Sequence, residues 1–221
     1  MLRTKDLFSL DKTLAGEYLA RFNFPWFVLD SVGEIIKKIG RDLPESDYTQ
    51  TAENVWVHKS ATVSDSASVN GPAIVGEGTE VRQGAFIRGS VLIGKNCVVG
   101  NSTEIKNSIL FDGVQVPHYN YVGDSILGYK AHLGAGAITS NVKSDKTYVR
   151  VYCEGEKIET GLRKFGAIIG DFAEIGCNSV LNPGTVIGKN STVYPLSSVR
   201  GTVKENSIYK SSDTIVDKRG E

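Results

Sequence analysis

The sequence predicts an all-β fold, a left-handed parallel β-helix of hexapeptide repeats, preceded by a short helical segment and carrying one projecting hairpin loop. Three observations predict it: a branched apolar residue at every sixth position, a small side chain two residues before each, and a glycine or polar turn residue after many. The apolar series runs Val57, Val63, Val69, Val75, Val81, Ile87, Ile93, Val99, Ile105 and Phe111, then slips once around Pro117. It resumes at Leu127 and Leu133. Beyond an interruption it continues in phase through Ile169, Ile175, Leu181, Ile187, Val193 and Val199.

The companion series of mostly small residues includes Ala61, Ala67, Ala73, Thr79, Ala85, Cys97, Thr103, Ala167, Ala173, Ser179 and Thr185, so both positions must face a cramped interior. Stretches such as Ile93-Gly94-Lys95-Asn96 and Ile187-Gly188-Lys189-Asn190 supply the corners between short strands. A six-residue step is too short for a pair of helices and lacks their 3.6 periodicity. A β-sandwich would instead place turns every ~8–12 residues with strict inside-outside alternation. Three steps make one triangular coil, and stacked coils bury a continuous core that needs capped ends.

The expected organisation is a helical cap over 1–50, the β-helix over 51–208 with an insertion at 141–166, and a tail over 209–221. Leu14, Tyr18, Leu19, Phe27, Val28, Val32, Ile35, Ile36 and Ile39 follow helical spacing. Asn23-Phe24-Pro25 divides them into two helices, because proline disfavours helix in the residue before it. Besides capping, a docking surface for a partner protein is a second reading of these helices. Within the insertion, Thr147 to Tyr152 and Lys157 to Thr160 flank Glu154-Gly155, which reads as a hairpin with a tight turn. Its cations, Lys143, Lys146, Arg150, Lys157, Arg163 and Lys164, outnumber its acids. A solvated surface hairpin and a lid over an anionic ligand both fit.

With 25 basic and 25 acidic residues among 221, the formal net charge is +0, so no global field draws nucleic acid or an anionic membrane to the chain. Cys97, Cys153 and Cys177 cannot all pair and show no CxxC spacing, which fits reduced thiols. The N-terminus lacks the apolar core of a signal peptide, and no run approaches the ~18 apolar residues of a membrane span. A cytoplasmic protein is expected.

Only three histidines are available for acid-base chemistry. His118 stands where the ladder slips, in Val116-Pro117-His118-Tyr119-Asn120-Tyr121, and imidazole titrates near neutral pH. From position alone it reads as a general base or as a structural histidine. His58 is most simply a surface residue. His118 and His132 also raise a zinc hydratase of carbonic-anhydrase type, but that needs a third convergent imidazole, which only His58 can supply, so no metal site is expected.

The stretch from Lys106 to Asn141, with His118-Tyr119-Asn120-Tyr121-Val122-Gly123-Asp124 and Leu133-Gly134-Ala135-Gly136-Ala137-Ile138-Thr139-Ser140-Asn141, resembles the acetyltransferase half of bifunctional N-acetylglucosamine-1-phosphate uridyltransferases. Lys164-Phe165-Gly166-Ala167-Ile168-Ile169-Gly170-Asp171 is similar to archaeal sugar-1-phosphate nucleotidyltransferases with a comparable domain. The likeness covers roughly residues 50 to 208. It implies transfer of an acetyl group from acetyl-CoA, as co-substrate, to the amine of an amino-sugar phosphate or a nucleotide-linked amino sugar. His118 matches the family's general base and Asn141 an active-site asparagine. Arg88, Lys106 and Lys146 match groups holding the sugar phosphate, and Tyr121 one contacting phosphate or sugar. Ala135, Cys177 and Pro195 fall where the family meets CoA. His132 stands where the family has an asparagine against the sugar, so the sugar itself is left open. The resemblance further implies a homotrimer with sites between subunits. No Gly-rich nucleotidyltransferase signature occurs in residues 1–50, so uridyltransferase activity is not expected. A non-catalytic trimeric scaffold is the alternative from a different functional class.

Overall fold

The computed structural model describes residues 2–218, and over most of that length the chain winds into stacked triangular coils of short parallel strands, a left-handed parallel β-helix. Each coil contributes to three faces. The first face carries Val55–His58, Ala73–Val75, Val91–Ile93, Ala167–Ile169, Thr185–Ile187 and Thr202–Val203. The second runs from Thr62–Val63 and Glu80–Val81 through Val98–Asn101, Gln115–His118, His132–Leu133 and Glu174–Ile175 to Thr192–Val193. The third holds Ser68–Val69, Phe86–Ile87, Ile138–Thr139, Val180–Leu181 and Ser198–Val199. Two longer strands, Glu104–Leu110 and Tyr121–Leu127, bend from the third face into the first. Rung residues such as Val75, Ile87, Ile93, Val99 and Ile105 are buried inside the coils with their small companions Ala73, Ala85 and Cys97.

Successive rungs on a face lie 18 residues apart where the coil is regular, as from Val57 to Val75 and on to Ile93. The predicted slip near Pro117 is two slips, and both occur elsewhere. Ile93 pairs with Leu110 rather than Phe111, and Ile105 and Leu110 pair with Val122 and Leu127, each 17 residues on. One residue is lost at Asn107 and one at Asp124, whose positive φ angles of 44° and 49° turn the corner in two residues. The ordinary corner here takes three, as in Arg88-Gly89-Ser90. Asn and Asp tolerate the left-handed region better than other side chains with a Cβ, which is why these corners can be short. Phe111, expected as a rung, is instead a buried corner residue whose ring packs at a tilt against Phe8, centroids 4.9 Å apart.

The N-terminal segment does not sit on the end of the β-helix; it lies along the first face. Two predicted helices become three short ones, α1 (Thr4–Leu7), α2 (Gly16–Leu19) and α3 (Val32–Arg41), with 3-10 turns at Leu10–Lys12 and Pro25–Ser31. Pro25 starts the second turn rather than merely ending a helix. Helix α3 buries Val32, Ile35, Ile36 and Ile39 and turns Glu34, Lys37 and Lys38 outward, the i, i+3, i+4, i+7 stripe of a half-covered helix. The stripe meets the strands that carry the outward-pointing Ile74, Leu92 and Ile109, and the Pro25–Ser31 turn meets the strand of Ile126; with Trp56 and Ile168 these middle residues of the first face are all buried. Each such side chain withdrawn from water contributes about 1.5–3 kcal/mol. Gly40 lets the helix touch the sheet, since a Cβ there would come within 2.4 Å of the Trp56 ring.

Asp171, fully buried, fastens the other end of the segment. Its carboxylate accepts from Ser9 N at 2.8 Å, Ser9 Oγ at 2.7 Å and Tyr129 N at 2.8 Å, and pairs with Lys189 Nζ at 3.3 Å. Its own N–H donates to Leu7 O. Because Ser9 is half-buried and can regain water, Asp171→Ala is expected to cost about 2 kcal/mol and to free the segment locally. Hydrogen exchange should accelerate at residues 7–12, and unchanged protection there would refute the fastening role.

The ends are closed by antiparallel strands. Tyr48–Ala52 pairs with Val55–His58, and Thr214–Asp217 folds back on Ser207–Ser211, so the expected C-terminal tail begins as the last hairpin. Residues 219–221 of that tail lie outside the described residues. No helix among the described residues is long and apolar enough to cross a membrane.

Candidate active site

Every departure from the regular coil falls on the corner between the third and first faces. There the short turns at Asn107 and Asp124 are followed by the insertion that leaves after Thr139 and returns at Ala167. Arg88, Lys106, Asp124 and Asn141 therefore stack on one edge of the prism.

Asp124 organises that edge. Its side chain is 5% exposed; Oδ1 accepts from Asn107 Nδ2 at 2.9 Å, Oδ2 accepts from Asn141 Nδ2 at 2.5 Å, and Lys106 Nζ lies 3.5 Å away. Asn107 Nδ2 also donates to Leu29 O, which ties the edge to the N-terminal segment. One coil below, Arg88 Nη1 pairs with Glu104 Oε1 at 2.6 Å. Both cations are thus held by carboxylates, so the edge presents positioned donors without excess charge. Tyr121 stands on the outward side of the third face, in register with Glu104 and Ile138. Burial, then the negative charges of Asp124 and Glu104, push its phenol above the usual value.

His118 is on the opposite edge of the third face, between the second and third faces. It is exposed at the end of Gln115–His118, and a turn follows in which Tyr119 has φ 50°. Buried Asn120 fixes the turn: its Oδ1 accepts from His118 N at 3.1 Å and its Nδ2 donates to Gly134 O and Ala137 O. Gly136 N donates to His118 O, Asn178 N to Ala135 O and Leu196 N to Cys177 O, so His118, Ala135, Cys177 and Pro195 form one column up this edge. Tyr119, Leu196 and Cys177 are exposed along it. The two predicted groups, phosphate-holding residues and base with CoA-facing residues, thus occupy the two edges of a single face. Tyr121 to Gly123 spans the interval, about 10 Å of strand.

Two predicted residues stand apart from this pair of edges. His132 lies on the second face, its Nδ1 bonded to Glu174 Oε2 at 2.7 Å, in a cleft shared with Lys130 and Phe172. Lys146 is exposed at a loop turn with φ 57°. The insertion forms the expected hairpin, Arg150–Cys153 against Glu156–Glu159 around Glu154-Gly155. It is packed rather than hinged as a lid: Val149 and Val151 are buried, and Thr202 Oγ1 donates to Tyr152 O at 2.7 Å. His58 is paired with Ser60 near the surface. Among the described residues no three His, Cys, Asp or Glu side chains converge to hold a metal ion. All three cysteines are free, and burial pushes the Cys97 thiol up to about 12. Sequence reasoning assigned no role to Asp124, Asn120 or Glu104. Asp124 and Asn120 lie inside the motif that flagged His118, and hydrogen-bonding side chains at two broken corners were the available signal.

Comparison with known proteins finds likenesses over part of the chain. The family described as the GMPPB C-terminal domain matches residues 69–162. A bifunctional sugar-1-phosphate nucleotidylyltransferase/acetyltransferase of Sulfurisphaera tokodaii is 36% identical over 107 residues, 48% of this chain and 27% of that protein. The bifunctional protein GlmU of Methanococcus vannielii is 38% identical over 117 residues, 52% of this chain and 28% of that protein. Over about half of its length the chain is thus similar to proteins of the sugar-1-phosphate nucleotidylyltransferase/acetyltransferase and GlmU type. The chain covers little more than a quarter of the length of these relatives. Among solved structures, the polySia specific acetyltransferase NeuO aligns over 76% of this chain and 88% of its own at 14% identity, with a TM-score of 0.47.

Proposed function

We propose that the protein is an acetyl-CoA-dependent N-acetyltransferase acting on an amino-sugar phosphate or a nucleotide-linked amino sugar, without uridyltransferase activity. The observation that carries this reading is the division of the third face. One edge holds fixed cations and amides around Asp124, and the other holds an exposed imidazole on an open column of Ala135, Cys177 and Pro195.

An acceptor lying across Tyr121 would share Lys106 and Arg88 with their carboxylates through its phosphate and offer its amine to His118. The partly apolar column of exposed Tyr119, Cys177 and Leu196 with half-buried Ala135 suits the thioester arm of acetyl-CoA, which supplies the acetyl group. His118 accepts the proton the amine loses as nitrogen attacks the thioester carbonyl, and returns it to the departing thiolate. Asn120 keeps the His118 backbone in place while this occurs. Holding both reactants on one rigid face makes the encounter effectively unimolecular. A homotrimer would wall the open third face with a neighbouring subunit and bring in residues such as His132, which this chain alone leaves on its second face.

The test is release of free thiol from acetyl-CoA with a panel of amino-sugar phosphates and nucleotide-linked amino sugars. Turnover should fall about 100-fold in His118→Ala, in line with loss of a positioned general base. Absence of turnover with every amine, or full activity in the variant, would refute the reading.

A further inference from the structure

Further along the edge that carries Lys106, the insertion hairpin does more than project. It returns against the corners of later coils and walls off a cleft of about 390 Å³ between Lys143, Arg150 and Tyr152 on the insertion and Pro183, Arg200 and Gly201 on the β-helix. The wall is built, not draped. Gly184 permits the approach, since at φ 83° a Cβ there would sit 2.6 Å from Arg150 O. Thr202 Oγ1 secures Tyr152 O, and the Val149 and Val151 side chains are buried beneath.

Three cations line the cleft and, among the described residues, no acid does. Arg150 is oriented by Glu159 at 2.6 Å and Lys143 by Asp145 at 3.2 Å, while Arg200 has no ion pair among the described residues. One guanidinium held in place and a second without an ion pair beside it suit the oxygens of linked phosphates, which guanidinium groups meet in bidentate fashion. Tyr152, 52% exposed, offers a flat aromatic surface beside them. A ring to stack on, together with cations at phosphate reach in a volume within the range of small-molecule sites, describes a nucleotide rather than a bare anion.

We infer that this cleft binds the nucleoside diphosphate portion of a ligand, with Arg200, Arg150 and Lys143 on the phosphates and Tyr152 against the base. The same chemistry belongs to the nucleotide of a sugar donor or acceptor and to the adenosine diphosphate end of CoA. The site stands on its own cleft, whether or not acetyl transfer is the reaction.

Calorimetric titration of the full chain with UDP, GDP, CoA and uridine, at low ionic strength, tests this without requiring turnover. At least one of the three phosphorylated ligands should bind, uridine should not, and Arg200→Glu should weaken that binding tenfold or more. Lys38→Glu, an equal charge change on the exposed side of α3, should leave it unaltered. Weakening confined to UDP or GDP assigns the cleft to a sugar nucleotide, and weakening of CoA assigns it to the donor; either supports the site. Should Arg200→Glu lower the melting temperature, Lys143→Gln takes its place and should weaken binding at least threefold. Failure of all three ligands to bind, or equal affinity in the wild type and the cleft variants, overturns the proposal.

Discussion

Asp124→Asn should destabilise the protein by about 3 kcal/mol, although the substitution preserves both size and tolerance of a positive φ. The carboxylate is nearly sealed from solvent and serves three donors: Asn107, Asn141 and Lys106. Turning one oxygen into an NH2 group places a donor against donors. Either the Asn141 amide or the Asn107 amide then goes unsatisfied, and Lys106 loses its neutralising partner. The penalty for a buried polar group left unmatched is about 1–3 kcal/mol and that for a lost charge-assisted hydrogen bond is similar. Chemical denaturation reads the stability, and a midpoint equal to wild type would refute the central position given to Asp124. On the proposed activity the variant should also raise KM for a phosphate-bearing acceptor more than it lowers kcat, because it disturbs the phosphate edge and leaves His118 on the other.

Gly100→Ala should be more damaging still, costing more than about 4 kcal/mol. A Cβ at Gly100 would lie 1.5 Å from Pro117 O and 2.0 Å from Pro117 C in the coil above. These are backbone atoms in a strand hydrogen-bonded on both sides, so no rotamer change relieves the overlap and the coils must part. The residue pushed first is Pro117, and His118 moves with it. Near-native stability by denaturation would show that the stacking at this edge is looser than the geometry requires. Pro117 thus matters to the site less as an interruption of the ladder than as the lid on a glycine that lets His118 come down close to Asn101.

How much was legible beforehand follows from what kind of residue encoded it. The hexad ladder and its small companions are periodic, so Val57 through Ile105 announced a β-helix and its phase. The slip was visible but misplaced, because Phe111 is apolar and buried and so passed for a rung while Leu110 beside it held the true one. The lie of the N-terminal segment also had a signal that went unread: Ile74, Leu92, Ile109, Ile126 and Ile168 are outward positions filled with apolar side chains. Such a stripe on a solenoid face requires a cover. At the site, the resemblance supplied Arg88, Lys106, His118, Tyr121 and Asn141 by spacing, but the part of Asp124 depends on a shortened corner that brings it against Lys106, Asn107 and Asn141 at once. A hairpin was readable from Glu154-Gly155; its packing against residues 184 and 201–202 was not, because those contacts join positions far apart in sequence.

The N-terminal segment has one more effect, on how the molecule comes apart. In a bare solenoid each coil touches only its neighbours, so the array can fray from either end and its stability is a sum of local terms. Here a single stretch of chain runs from Gly40 against Trp56 in the first coil to Ser9 and Leu7 on Asp171 several coils later. Coils that share no direct contact are thereby riveted to a common beam. Opening one of them under the beam strips its cover as well, so the spanned coils melt together while fraying is confined to the coils beyond Asp171.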